Sequence, residues 1–144
     1  MKFFIDTSIF VDVLRTEFKP SSKRFLESIE KENKGFSSVI TTAELSVGAY
    51  RSNREDSIRR TLDLLSIVDL VDVNEVIALE SGKIFADLMD KGKIIATGTN
   101  EELKGMINSG EKLTVELLRI ITRNIEHFHR IKGVEAIEPE ELGF

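Results

Sequence analysis

Cysteine is absent from this chain of 144 residues, which removes disulfide frameworks and thiolate metal centres. Only two histidines are present, so a bound cation has to rely on oxygen ligands or on those two imidazoles, and hard metals are favoured. Tryptophan and glutamine are also missing while Glu, Lys, Arg and Ile are abundant, a bias that accompanies growth at high temperature in some proteomes. No stretch approaches the roughly 18 uninterrupted apolar residues of a membrane span, and the N-terminus carries no signal-peptide cleavage region, so the expected location is cytoplasmic. Positive charge is in deficit, with a formal net charge of −5. A nucleic-acid partner would therefore have to meet local basic patches rather than a generally cationic surface.

What is there reads as ordinary globular composition, 41% hydrophobic and 31% charged, at a length suited to one core. A single domain over 1–144 is expected. Met1 to Ile5 is a short apolar run ending at Asp6, followed by apolar residues at helical spacing through Ile9, Phe10, Val13 and Leu14. Pro20 with Ser21 and Ser22 opens a second helix, with Gly35 as its expected stop. Phe36 to Ile40 is the second predicted strand, and a helix from Thr41 through Ala49 and another from Asp56 to Ser66 follow. Ile67 to Val73 is the third strand. Asn74 caps a long helix with Val76, Ile77, Leu79, Ile84, Phe85, Leu88 and Met89 on its apolar stripe, stopping at Lys91-Gly92. Residues 96–117 have no assigned element; Leu118 to Thr122 and Val134 to Ile137 complete four or five strands. Strands alternating with helices imply right-handed crossovers, hence a three-layer α/β/α sandwich around a parallel sheet.

Ligands in open parallel sheets gather outside the carboxyl ends of the strands. Asp6 ends the first strand, and Glu44 is placed in the first turn of the helix after the second. Two such acids can face one crevice and offer oxygen ligands to Mg²⁺ or Mn²⁺. Each also has a local reading. Asp6-Thr7-Ser8 fits a strand-to-helix turn with Asp6 or Thr7 as N-cap, and Thr41-x-x-Glu44 fits a capping box.

Three segments taken together carry more information: FIDTSIFVDVLR (Phe4 to Arg15), SSVITTAELSVGAYRS (Ser37 to Ser52) and IITRNIEHFHRIKGVEAI (Ile120 to Ile137). In this order and spacing they resemble the successive blocks of PIN domains, particularly VapC-type toxins. The resemblance implies that Asp6 and Glu44 are acidic catalytic residues that hold the metal, that Asn124 fills a further site position, and that Ser8 is a polar neighbour. It also implies RNA cleavage dependent on Mg²⁺ or Mn²⁺, homodimerisation and a cognate antitoxin. The chain departs from the pattern after the long helix, where the family's Asp-x-x-Ile-Ala-Ala is replaced by IIATGTNEELKGMINSGEKLTVELLRI. Glu101 and Glu102 are the nearest substitutes for the missing carboxylate, although Thr99-x-x-Glu102 is itself a capping-box pattern.

Arg51 and Arg54, with Arg59 and Arg60, form one basic cluster; Arg130 lies in another with His127, His129 and Lys132. Either can meet RNA phosphate, the first also an acidic antitoxin segment, and both fit ordinary solvated faces. His127 and His129 are two residues apart and lack the i, i+4 geometry of a helical zinc pair. Two functions stay open on this reading: a metal-dependent endoribonuclease acting as a toxin, and a catalytically impaired PIN-fold module that binds RNA or protein. Phosphoryl transfer through Asp6 ranks below both, because no Gly-rich phosphate loop accompanies it.

Overall fold

The computed structural model of the chain describes residues 1–15, 19–52, 54–90, 118–131 and 134–144. Its elements are β1 (Lys2–Ile5), α1 (Thr7–Leu14), α2 (Pro20–Lys31), β2 (Lys34–Ser38), α3 (Val39–Arg51), α4 (Ser57–Leu65), β3 (Asp69–Val71), α5 (Glu75–Asp90), β4 (Leu118–Ile121), α6 (Ile125–His129), β5 (Ala136–Ile137) and a closing 3₁₀ turn, Pro139–Leu142. The strands form one sheet in the order β3-β2-β1-β4-β5, and every pairing is parallel. Among the described residues no helix is long and apolar enough to cross a membrane.

β1 lies at the centre and is apolar on both faces. Successive side chains of a strand point to opposite sides of a sheet, and β1 divides its residues between two cores on that rule. Phe3 and Ile5 join Ile9 and Phe10 of α1, Phe25, Leu26 and Ile29 of α2, Leu45 of α3 and Leu65 of α4. Phe4 joins Phe36, Ile77 of α5, Ile120 and Phe128 of α6 on the other face. β4 alternates in the same way, with Ile121 in the first core and Ile120 in the second. The result is the expected α/β/α sandwich, with five strands. Such two-sided burial explains why the strands read as continuous apolar runs.

Several boundaries differ from the sequence expectation, two of them for identifiable reasons. Ser38 is the N-cap of α3 and its hydroxyl accepts from the Ile40 amide at 3.1 Å, so Val39 and Ile40 are helical despite their β-branched side chains. Glu44 therefore sits in the second turn of α3, and the Thr41-x-x-Glu44 capping box does not form. Gly35 does not stop α2; it lies buried in β2 opposite Phe3. A Cβ there would meet Ile29 Cγ2 and Val68 Cγ1 at 2.9 Å and Ile5 Cδ1 at 3.0 Å, so close approach of its neighbours demands glycine. β3 is shorter than expected, three residues.

Asn74 caps α5 as expected, its side-chain oxygen accepting from the Ile77 amide at 3.0 Å. The predicted apolar stripe of α5 divides, because Ile77 is buried whereas Val76 and Leu79 are exposed. The expected stop at Lys91-Gly92 and the segment 96–117 lie outside the described residues.

Candidate active site

At the carboxyl ends of β1 and β4 the chain brings together Asp6, Ser8 and Thr122. Asp6 follows β1, keeps extended geometry and caps α1, and the residue is 6% exposed. Its Oδ2 accepts from Ser8 Oγ at 2.6 Å and from Thr122 Oγ1 at 2.8 Å, with a longer contact of 3.4 Å from the Ser8 amide. The N-cap reading is thus correct, and it coexists with a site geometry. Each hydroxyl is itself oriented: Ser8 Oγ accepts the Arg123 amide at 3.0 Å and Thr122 Oγ1 accepts the Asn124 amide at 2.9 Å. With main-chain donors on their lone pairs, both hydroxyls aim their protons at the carboxylate. Oδ2 is held, and Oδ1 accepts no hydrogen bond among the described residues.

Glu44 is exposed on α3 and is tied to the same strand end through Thr7. The Thr7 hydroxyl donates to Glu44 Oε2 at 2.6 Å and lies 3.1 Å from Thr41 Oγ1; with its proton spent on Glu44, Thr7 accepts from Thr41. The donor set is all oxygen, two carboxylates each bonded to its own hydroxyls, which suits a hard divalent cation rather than zinc. Among the described residues no three acidic or histidine side chains are grouped closely enough to form a complete cage.

The other candidates are distributed unevenly. Asn124 is exposed at the start of α6 and makes no side-chain cap; it reaches the site through its amide to Thr122. Arg51 ends α3 about two helical turns from Glu44, and Arg130 caps the far end of α6; both are exposed. Glu101, Glu102 and Lys132 lie outside the described residues. Arg54 and Arg60 line a cleft of 260 Å³ between α1, α3 and α4, with Glu44 at its edge and Val11, Leu14 and Leu45 among its apolar walls.

Sequence reasoning missed Thr7, Thr122 and Arg123. A signal was available for the hydroxyls, because β1, β2 and β4 each end in one or more of them: Thr7-Ser8, Ser37-Ser38 and Thr122. Arg123 is only 13% exposed at its side chain and satisfies its donors within the protein. Nε meets Asp12 Oδ2 at 2.8 Å, Nη1 meets Glu140 Oε2 at 2.6 Å, and Nη2 donates to Ser21 and Ser22 hydroxyls at 2.8 Å each. Glu138 approaches Nη1 at 3.5 Å. Burial opposes the charge of Arg123, but the bonds to Glu140 and Asp12 outweigh it and raise its pKa.

Glu140 shows the complementary shift. Partial burial pushes its pKa up, yet donation from Arg123 and Ser21 prevails and brings it from 4.5 to about 2. A depressed carboxylate pKa means that the unfolded chain binds more protons between those values, so the stabilisation is complete above pH 4.5 and is lost as pH falls toward 2. Because the side chain is 49% exposed, solvent screening reduces the effect to about 1 kcal/mol. Acid titration of unfolding should show this loss in the parent and a flatter profile in Glu140→Gln; identical profiles would contradict the assignment.

Comparison with known proteins identifies the family and the fold. A model of the PIN domain family matches residues 3–95, well over half of the chain, whereas no curated protein matches. Among solved structures, VapBC2 from Rickettsia felis, bound to a DNA fragment from its promoter, contains a similar chain. Its TM-score is 0.74 at 24% identity, covering 96% of this chain and 98% of that one. VapBC-1 from nontypeable Haemophilus influenzae gives 0.73 at 26% identity, covering 97% and 99%. FitAcB from Neisseria gonorrhoeae gives 0.73 at 18% identity, covering 96% and 98%. A central parallel sheet with an aspartate at the end of its middle strand is the frame on which the family match falls, and the chain belongs to the PIN domain family.

Proposed function

We propose that this single PIN domain is a metal-dependent endoribonuclease, the toxin of a type II toxin-antitoxin pair. The observation that carries the reading is the Asp6 carboxylate: buried at a strand end, clamped on Oδ2 by two hydroxyls, with Oδ1 left for a ligand. Asp6 and Glu44 would hold Mg²⁺ or Mn²⁺, with Asn124 contributing an uncharged oxygen and Glu101 or Glu102 standing in for the family's downstream aspartate. When bound there, the cation supplies activation of water and neutralisation of charge on the phosphodiester.

The chain's own residues do the rest. Ser8 and Thr122 keep the Asp6 carboxylate in one orientation, which reduces the reorganisation needed when a ligand arrives. Thr7 restrains Glu44, an exposed side chain that would otherwise sample many rotamers. Arg51, Arg54 and Arg130 are the cations offered to RNA phosphates. The cleft between α1, α3 and α4 has apolar walls and three arginines, Arg15, Arg54 and Arg60, and suits an antitoxin segment with apolar and acidic side chains. Exposed Val47, Tyr50 and Leu62 supply apolar surface for a homodimer.

The test is cleavage of single-stranded RNA by the purified, antitoxin-free chain with Mn²⁺ and with excess chelator. Cleavage that disappears with the chelator is expected. A folded chain that leaves RNA intact with Mn²⁺ overturns the nuclease reading and favours the alternative of a catalytically impaired RNA- or protein-binding module.

A further inference from the structure

Arg123 is the most heavily bonded side chain near the site, yet its guanidinium faces away from Asp6 toward α1, α2 and the closing 3₁₀ turn. Four of its five N–H donors are bonded, one each to Asp12, Ser21, Ser22 and Glu140. Ser22 also donates to Asp12 at 2.7 Å and Ser21 to Glu140 at 2.5 Å, so the acceptors are held in place by each other as well as by the arginine. A planar guanidinium gripped on all its edges is fixed in position and orientation.

That rigidity bears on the main chain. β4 ends at Ile121, and the ladder ends with the Thr122 amide bonded to Ile137 O at 3.1 Å. Beyond it, the Arg123 amide is directed at Ser8 Oγ instead of at a strand. The Arg123 side chain anchors this peptide from the other side, alongside the Thr122 hydroxyl, which accepts the Asn124 amide. From its amide the path is short: Arg123 N–H to Ser8 Oγ, then Ser8 O–H to Asp6 Oδ2. The adjoining residue supplies the second clamp, Thr122 to Asp6.

We propose that Arg123 is a positioning residue: by fixing the 122–124 peptide it aims the Ser8 and Thr122 hydroxyls at Asp6 and thereby sets the affinity of the site for a divalent cation. This rests on the reading of Asp6 as a metal ligand. Arg123 touches neither cation nor RNA; it acts through two hydroxyls. Outer partners of metal-binding carboxylates are worth about 10- to 100-fold in affinity.

The experiment is Mn²⁺ titration of the full chain, followed by electron paramagnetic resonance of the free ion, for the parent, Asp6→Asn, Arg123→Ala, Arg123→Lys, Ser8→Ala and the Ser8→Ala/Arg123→Ala pair. Circular dichroism checks the fold of each. Arg123→Ala is expected to weaken Mn²⁺ about tenfold or more. Arg123→Lys keeps the charge without the planar fork; it guards against loss of fold in the alanine variant and should fall between it and the parent. In the Ser8→Ala background the arginine substitution should have a smaller effect, because one of the two routes it uses, the one through Ser8, is already cut while the Thr122 route remains.

A folded Arg123→Ala or Arg123→Lys variant with parental affinity overturns the positioning role. So does full additivity of the two alanine substitutions, which is the signature of a merely structural contribution. Unchanged binding in Asp6→Asn instead overturns the assignment of Asp6 as a ligand, and the positioning role with it; loss there with no change at Arg123 overturns the positioning role alone.

Discussion

Asp6→Asn should lower Mn²⁺-dependent RNA cleavage by about 10³-fold, the several kcal/mol that a metal's charge stabilisation supplies, while thermal unfolding stays where it was or moves upward. Asparagine has the same shape, and its amide oxygen can occupy the place of Oδ2, accepting from Ser8 and Thr122 and still capping α1. The amide nitrogen then stands where Oδ1 was, a donor in place of the free acceptor. The helix keeps its cap and the hydroxyls keep their partner. The charge is lost from a position that is 6% exposed, where burying it opposes folding. Loss of turnover with retained or increased stability is the behaviour expected when a residue serves a site at the fold's expense. Steady-state cleavage of a fluorogenic RNA together with calorimetry reads both quantities. A variant within about tenfold of the parent rate would exclude Asp6 as an essential ligand.

Gly35→Val should destabilise the chain by about 3 kcal/mol through overpacking, seen as a lower denaturant midpoint with an unchanged slope. Valine is a better strand residue than glycine in isolation, so local preference predicts the opposite sign. Packing decides. The first atom added would lie 2.9 Å from branch methyls of Ile29 and Val68, and both neighbours are β-branched side chains with little freedom to turn away. Ile5 is also in the way, and it sits one residue before Asp6, so relief by shifting β1 would move the site. Gly48 provides the control. It lies within α3 with no atom within 4 Å of a built Cβ, so Gly48→Ala should stabilise by about 0.8 kcal/mol from helix propensity. Equal effects at the two positions would refute the packing explanation.

Much of the architecture was legible because two-sided burial writes strands as apolar runs, and β1, β4 and the helices they alternate with follow that rule. The β2-α3 junction was not, since Val39 and Ile40 look like strand residues until Ser38 is recognised as a cap. Gly35 reads as a helix stop in one dimension and is a packing requirement in three. Asp6 and Glu44 could be proposed from their place in the strand-helix order, whereas the hydrogen bond from Thr7 to Glu44 could not. Arg123 was beyond local reading: Ser21 and Ser22 are 102 and 101 positions away, and no periodicity links residues at that distance.

The pairing of β1 with β4 also governs when the site comes into being during synthesis. Asp6 and Thr122 are 116 positions apart, an interval of on the order of ten seconds at ordinary rates of translation. A ribosome-bound chain that has not yet made β4 has Asp6 without the Thr122 clamp, and Ser8 without the Arg123 amide. The hydrogen-bonded cluster around Asp6 is therefore a late product of elongation, and premature termination before β4 leaves a polypeptide that lacks the clamp altogether.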